Sequence, residues 1–331
     1  MSAHNFPALL QSYFTDRLLH QRQASAHTIA GYRDCFRMLL QYAVERLGKS
    51  PSELKLEDLD TSFIGDFLDY LETTRANSAR TRNARLAAIR SFFRYVALQE
   101  PACLLLCQRI LAMPAKRYQR KPVEFLNREE IEALLAAPDL TTWIGRRDRT
   151  LLAVVIQTGL RLSELINLQP KDLSLGTGAH VRCKGKGRKH RSVPLSREVV
   201  RVLKTWLLEL DALPEAPLFP SNRGRSLSPD AVQYLIAKYA AVAQKDCRSL
   251  KNKRVSPHVL RHTAAMELLQ HGVDITVIAL WLGHESVETT QMYLHADMRM
   301  KEKALGRTTP LGVKPGKFQP DDKLLVFLEG L

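Results

Sequence analysis

Between Ala112 and Val123 the helical spacing of apolar residues that runs through most of this chain breaks down. Pro114 and Pro122 interrupt the pattern, and Lys116, Arg117, Arg120 and Lys121 crowd positive charge into the same stretch. Proline lacks a backbone donor and fixes its own φ, so a regular helix does not run through such a segment. The 331-residue chain is therefore divided into two pieces, each long enough to bury its own core. The expected organisation is a helical domain over 1–111, a basic linker over 112–123, a second domain over 124–305 and a tail over 306–331.

The first piece reads as helix throughout. Apolar residues recur at helical spacing from Phe6 to Leu19 and again from Thr28 to Leu47, where Ile29, Tyr32, Phe36, Leu39, Leu40 and Ala43 form the stripe. Gly48, Ser50 and Pro51 mark a turn, and Asp60 and Thr61 cap a helix through Phe63, Phe67 and Leu71. Ala76 to Leu98 is a long amphipathic helix with Arg80, Arg82, Arg85, Arg90 and Arg94 on its polar side. Such a row serves as an ordinary solvated face or as a set of phosphate contacts.

The second piece is mostly helical with one β insertion, so the fold class is mainly α with a small antiparallel β-sheet in the C-terminal domain. Asn127 with Glu130 three residues on is a capping box, and Arg147 to Leu160 is an apolar helix. Ala179–Cys183 and His190–Leu195 read as strands around Lys184-Gly185-Lys186-Gly187-Arg188. Ser228-Pro229 and Ser256-Pro257 each open a helix, Gly272 closes the second, and Asp274 caps the next. Beyond Gly306 the chain is rich in Pro, Gly and Lys, and ends in an apolar stretch whose Leu324, Leu325, Phe327 and Leu328 would form one helix face. A helix that short is marginal alone and needs a surface, on its own domain or on a neighbouring subunit.

Forty-nine basic residues against 34 acidic give a formal charge of +15, which suits a polyanionic partner. No apolar run approaches the roughly 20 residues that cross a bilayer. Residues Met1–Leu10 lack the basic-then-apolar order of a secretory signal, so a cytoplasmic protein with no membrane partner is expected. The five cysteines, Cys35, Cys103, Cys107, Cys183 and Cys247, are odd in number and form no CxxC pair, which argues against a disulfide framework. Cys103 and Cys107 read as small buried apolar residues rather than half of a metal site.

Four patches in the second piece carry chemistry. Gly159 breaks an apolar helix and Arg161 follows at once, with Glu164 placed three residues on to orient it. The hairpin turn carries Lys184, Lys186, Arg188 and Lys189, in a spacing that is not a Walker A loop. His258 and Arg261 share a helix face suited to a phosphate. His258 and His262 have metal-ligand spacing, but Val259 stands where a zinc peptidase motif has glutamate, so no metal is expected. Last come Leu282-Gly283-His284 and, after Thr289 and Thr290, Tyr293.

Taken together and in this order, TGLRLSEL, the hairpin ending in Val193-Pro194-Leu195, SPHVLRHTAA and LGHESVETTQMYLH resemble the tyrosine recombinase (phage integrase) family, including its Xer-like members. The resemblance runs from about residue 10 to about residue 300, with the first piece similar to the family's helical core-binding domain. It implies a two-domain clamp around DNA and a catalytic set of Arg161, Lys186, His258, Arg261, His284 and Tyr293, supported by Glu164. Lys184 competes with Lys186 for the lysine role. Arg80, Arg82, Arg85, Arg90, Lys184, Arg188 and Lys189 are then expected on the DNA.

The implied chemistry needs neither metal nor nucleotide cofactor. Two guanidinium groups hold the non-bridging oxygens. Tyr293 attacks with His258 as base, His284 bonds a phosphate oxygen, and Lys186 protonates the leaving 5′ oxygen. The 3′-phosphotyrosyl product conserves the bond energy. Implied partners are duplex DNA with specific recombination sites and further copies of the chain, monomeric or dimeric when free and tetrameric on DNA around a Holliday junction. An accessory recombinase or DNA-bending protein would join in some systems. The long tail favours integration, excision or transposition of a mobile element over chromosome or plasmid dimer resolution. A type IB topoisomerase and a catalytically inactive regulator are the competing readings.

Overall fold

The computed structural model describes residues 6–119, 123–185, 190–211 and 213–295. Lys186, Arg188, Lys189 and the tail from 306 to 331 lie outside the described residues. The chain forms two compact units that part between Arg120 and Lys121. No described helix is long and apolar enough to cross a membrane.

The first unit is helical: α1 (Phe6–Ser12), continued as a wider π-type turn over Tyr13–Gln21, then α2 (Ala26–Leu47), α3 (Thr61–Thr73), α4 (Ala79–Gln99) and α5 (Leu104–Ala112). Each long helix starts on a side-chain cap: Ser25 for α2, Asp60 for α3 and Ser78 for α4 accept a backbone N–H of the first turn. Phe92 of α4 is the hub of the core, with the rings of Phe6, Tyr13 and Phe36 edge-on to it at 5.7, 5.5 and 5.3 Å. Cys103 and Cys107 are buried in this core.

The structure corrects the placing of all five arginines on the polar side of α4. Arg80 and Arg94 are exposed. Arg82 is only 7% exposed, with Nε 3.4 Å from Glu72, and Arg85 donates to the Gly31 carbonyl at 2.9 Å. The cause is phase: Arg82 lies in line with buried Leu86, Ile89 and Phe93 on the inward stripe of the helix. Glu72 also takes Lys116 of the expected linker at 2.5 Å, and Asn83 clasps the Lys116 backbone from both sides.

The second unit contains α6 (Arg128–Ala136), α7 (Trp143–Thr158), α8 (Leu162–Ile166), α9 (Arg197–Leu210), α10 (Pro229–Ala243), α11 (Pro257–Gln270), α12 (Ile275–Leu282) and α13 (Glu288–Gln291), the last continued as a tighter turn over Met292–His295. α7 is central, packed by α6, α9 and α11. Between α8 and α9 lies an antiparallel sheet in the order β1 (Leu173–Ser174), β2 (His180–Lys184), β3 (His190–Pro194). Its register pairs Val181 with Val193 and Cys183 with Arg191, so these four side chains share one face. The loop before α11 is tied to the start of α6 through fully buried Glu130, which accepts from Ser249 and Lys253, both at 2.6 Å. Burial alone would raise the Glu130 pKa, but those hydrogen bonds and the Lys253 charge hold it below the ordinary range.

Candidate active site

α7 ends at Gly159, whose φ of +63° is the left-handed conformation that closes a helix. A Cβ there would sit 2.8 Å from Leu282 and 3.1 Å from Ala264, so only glycine lets α7 meet α11 and α12 this closely. The chain then turns and presents Arg161 as the cap of α8. Glu164 folds back on it, accepting the Arg161 backbone N–H at 2.8 Å and Nη1 at 3.0 Å. The i,i+3 pair that the sequence sets up to orient Arg161 is a buried one, because the Glu164 side chain is 2% exposed.

The C-terminal end of α12 collects three guanidinium groups on three successive carbonyls. Arg191 Nε donates to Trp281 at 3.0 Å, Arg261 Nη2 to Leu282 at 2.7 Å and Arg161 Nη2 to Gly283 at 2.6 Å. Orphan carbonyls and the negative end of the helix dipole favour cations at this place. Arg261 also donates through Nη1 to the Gly159 carbonyl at 2.6 Å, which joins the end of α7 to the end of α12. Glu164 is the carboxylate among them, so the cluster keeps an excess of positive charge. Burial, followed by repulsion from Arg161, lowers the Arg261 pKa to about 10. Burial would raise Glu164, but Arg191 and Arg161 outweigh it and hold the carboxyl below its usual range. The surplus of fixed positive charge is what a bound anion would relieve.

Gly283, at φ +66°, ends α12 and turns the chain into His284. His284 Nδ1 shares a hydrogen bond with Thr290 Oγ1 at 2.7 Å. Burial first, then the charges of Arg261, Arg161 and Arg191, push its pKa down to about 4, so the ring is neutral at pH 7. Tyr293 is 1% exposed, packed with Ala265, Met266, Leu269, Ile278 and Leu282. Its hydroxyl lies 2.9 Å from His262 Nδ1. Burial raises the phenol to about 12 despite the nearby Arg261 charge, and burial with the adjacent His258 lowers His262 to about 4. Both partners are therefore neutral near pH 7.

Of the residues expected from sequence, the structure brings Arg161, Glu164, Arg261, His284 and Tyr293 together. His258 is exposed one turn before His262 on α11, with the two rings stacked at 6.5 Å. The hydrogen bond to the Tyr293 hydroxyl is made by His262 and not by His258, the residue expected to act as base. Lys184 is exposed at the end of β2, next to the hairpin residues outside the description. Sequence reasoning gave no site role to Arg191 or Thr290 and weighed His262 only as a metal ligand. Arg191 had a signal, since it is in phase with buried Val193 along β3. His262 had one too: it stands in a helix buried on nearly every side.

This fold is shared with one class of DNA recombinases. Residues 124–300 match the phage integrase family, and residues 12–100 match its N-terminal SAM-like domain. The chain belongs to the phage integrase family of tyrosine recombinases. It is 54% identical over 323 residues to an integrase/recombinase of Sinorhizobium fredii, y4rC, covering 98% of this chain and 97% of that protein. It is 32% identical over 305 residues to the tyrosine recombinase XerD of Vibrio cholerae, covering 88% and 94% of the two chains. Among solved structures it resembles the XerH site-specific recombinase in a post-cleavage complex with its palindromic difH substrate. That match has a TM-score of 0.67 and 25% identity over 86% of this chain and 81% of the other.

Proposed function

We propose that this protein is a site-specific DNA recombinase that cuts and rejoins strands through a covalent bond between Tyr293 and a 3′ phosphate, in the service of a mobile element. The observation that carries the reading is the clustering of Arg161, Arg261 and His284 at the end of α12, with Tyr293 packed in the adjoining core. In this reading the two guanidiniums hold the non-bridging oxygens of the scissile phosphate, where charge grows during in-line displacement. Thr290 fixes Nδ1 of His284 and leaves Nε2 to meet a phosphate oxygen. The Tyr293 oxygen bonds to phosphorus as the bond to the 5′ oxygen breaks. Its proton passes to a histidine, and the departing oxygen takes a proton from the hairpin lysine, Lys186 by motif. A second 5′ hydroxyl reverses these steps and reseals the strand.

A phenol 1% exposed does not reach a DNA phosphate, so Tyr293 leaves its packed position before it attacks. His262 then serves the stored phenol, and exposed His258 is the base at the phosphate. The partners are duplex recombination sites and three further copies of the chain. An apolar groove of about 440 Å³ lined by Ile131, Leu135, Ala153, Ile156, Val199 and Val202 is the proposed seat for the Leu324–Leu331 segment of a neighbouring copy. Support for the mobile-element role comes from the S. fredii relative, whose name is integrase/recombinase.

A covalent-trapping assay tests this. DNA flanking the gene in its source is nicked to make suicide substrates and mixed with the protein in EDTA without ATP. The expected result is a denaturant-resistant adduct with the wild type and none with Tyr293→Phe, which still binds DNA. An adduct with both removes Tyr293 from the role. Relaxation of a supercoiled plasmid without exchange between two duplexes would point to a topoisomerase, and specific binding without any adduct to a regulator.

A further inference from the structure

We propose that Arg191 is a positioning residue of the recombination reaction: it locks Glu164 and the end of α12 so that Arg161 meets the scissile phosphate in one orientation. The proposal rests on the reading of the site as a recombinase centre. Arg191 itself does not face the substrate, since its side chain is 13% exposed and turned to the inner face of β3.

The geometry is that of a clamp. Nη1 and Nη2 of Arg191 grip the two Glu164 oxygens at 2.7 and 2.8 Å, and Nε holds the Trp281 carbonyl at 3.0 Å. Each Glu164 oxygen thus accepts once from Arg191 and once from Arg161, through its side chain on one oxygen and its backbone on the other. The Arg161 side chain is 29% exposed and would be free to swing if Glu164 could turn with it. Arg191 removes that freedom by fixing the carboxylate from behind. It also packs against Gly283, where a Cβ would lie 2.9 Å from Nη1, so the turn that delivers His284 is shaped around the same guanidinium. Lysine does not replace it, because an ammonium is a point donor and cannot span both carboxylate oxygens and a carbonyl.

The test compares cleavage by wild type, Arg191→Lys and Arg161→Lys on nicked duplexes carrying either an ordinary phosphate or a neutral methylphosphonate at the mapped cleavage position. Binding to the unnicked duplex and the melting temperature are measured beside it. A small misplacement of a catalytic group costs about 100-fold in rate, so Arg191→Lys is expected to slow cleavage of the phosphate by roughly that factor with DNA affinity unchanged. On the methylphosphonate, which carries no charge for a guanidinium to hold, the loss should shrink to within about threefold, and Arg161→Lys should show the same contrast. If Arg191→Lys does not fold, Arg191→Met combined with Glu164→Gln removes both charges together and is read in the same way against Glu164→Gln alone. Wild-type rates on the phosphate, or equal slowing on both substrates, overturn the positioning role. Failure of the wild type to form any adduct overturns the recombinase reading instead, and this proposal with it.

Discussion

Replacing Glu164 with glutamine is the sharpest test of how this site is held. The two side chains have nearly the same shape, so little changes but charge and donor pattern. Glutamate here accepts four hydrogen bonds, two on each oxygen, from Arg161 and Arg191. In glutamine one of those oxygens becomes an NH₂ that faces two N–H donors and accepts from neither. The negative charge also disappears from among three guanidiniums, in a place where its side chain is 2% exposed. Removing one partner of a buried ion pair costs about 3–5 kcal/mol. For a unit of this size each kcal/mol moves the melting temperature by about 2–4 °C, so a fall of roughly 6–20 °C is expected. Thermal unfolding followed by circular dichroism reads it, and covalent trapping at a temperature where the variant is folded should show slow cleavage. A melting temperature within about 2 °C of wild type would mean that Glu164 is an ordinary solvated partner, and the account of Arg161 built on it would be wrong.

Other outcomes follow from the same geometry. Gly283→Ala imposes a side chain on a φ of +66° and pushes it against Arg191; a loss of about 1–3 kcal/mol in chemical denaturation is expected, and an unchanged midpoint would show that the turn relaxes freely. His262 and His284 have folded pKa values depressed to about 4 from 6.5, so between these limits the unfolded chain binds more protons and stability falls as pH drops. Melting curves at pH 7.5 and pH 5 should show the loss, and it should be smaller in His262→Asn; equal melting temperatures would mean the rings are hydrated. Deleting 306–331 should leave binding to a single half-site intact and weaken assembly on a full site. Unchanged tetramers by light scattering on DNA would rule out the groove as the seat of the tail.

Much of this fold was legible because its helices are locally signed. Asp60, Asn127, Ser228, Ser256 and Asp274 all cap where their sequence says they should, and Gly159, Gly272 and Gly283 turn left-handed at helix ends. What escaped has no local sign. β1 is two residues long and exists only through its pairing with β2. The π-type continuation after Ser12 and the burial of Arg82 depend on packing partners far away in sequence. The pairing of Tyr293 with His262 joins two elements 31 residues apart, and spacing along one helix drew attention to His258 instead.

The cluster at the end of α12 is held in shape by protein groups alone. Burial first, and then the repulsion between guanidiniums brought this close, lower the Arg261 pKa to about 10. Glu164 offsets part of that repulsion, and the carbonyls of Trp281, Leu282 and Gly283 take one donor from each arginine. Arg161 and Arg261 each use one N–H on Nη1 and one on Nη2 for such bonds, and a guanidinium has five N–H groups in all. A phosphate can therefore bind Arg161 and Arg261 without breaking the bonds that aim them. Lysine could not do both, since its few donors radiate from one atom. The buried phenol fits the same logic. Raised to about 12, Tyr293 stays neutral at physiological pH and does not supply the cluster with a competing anion.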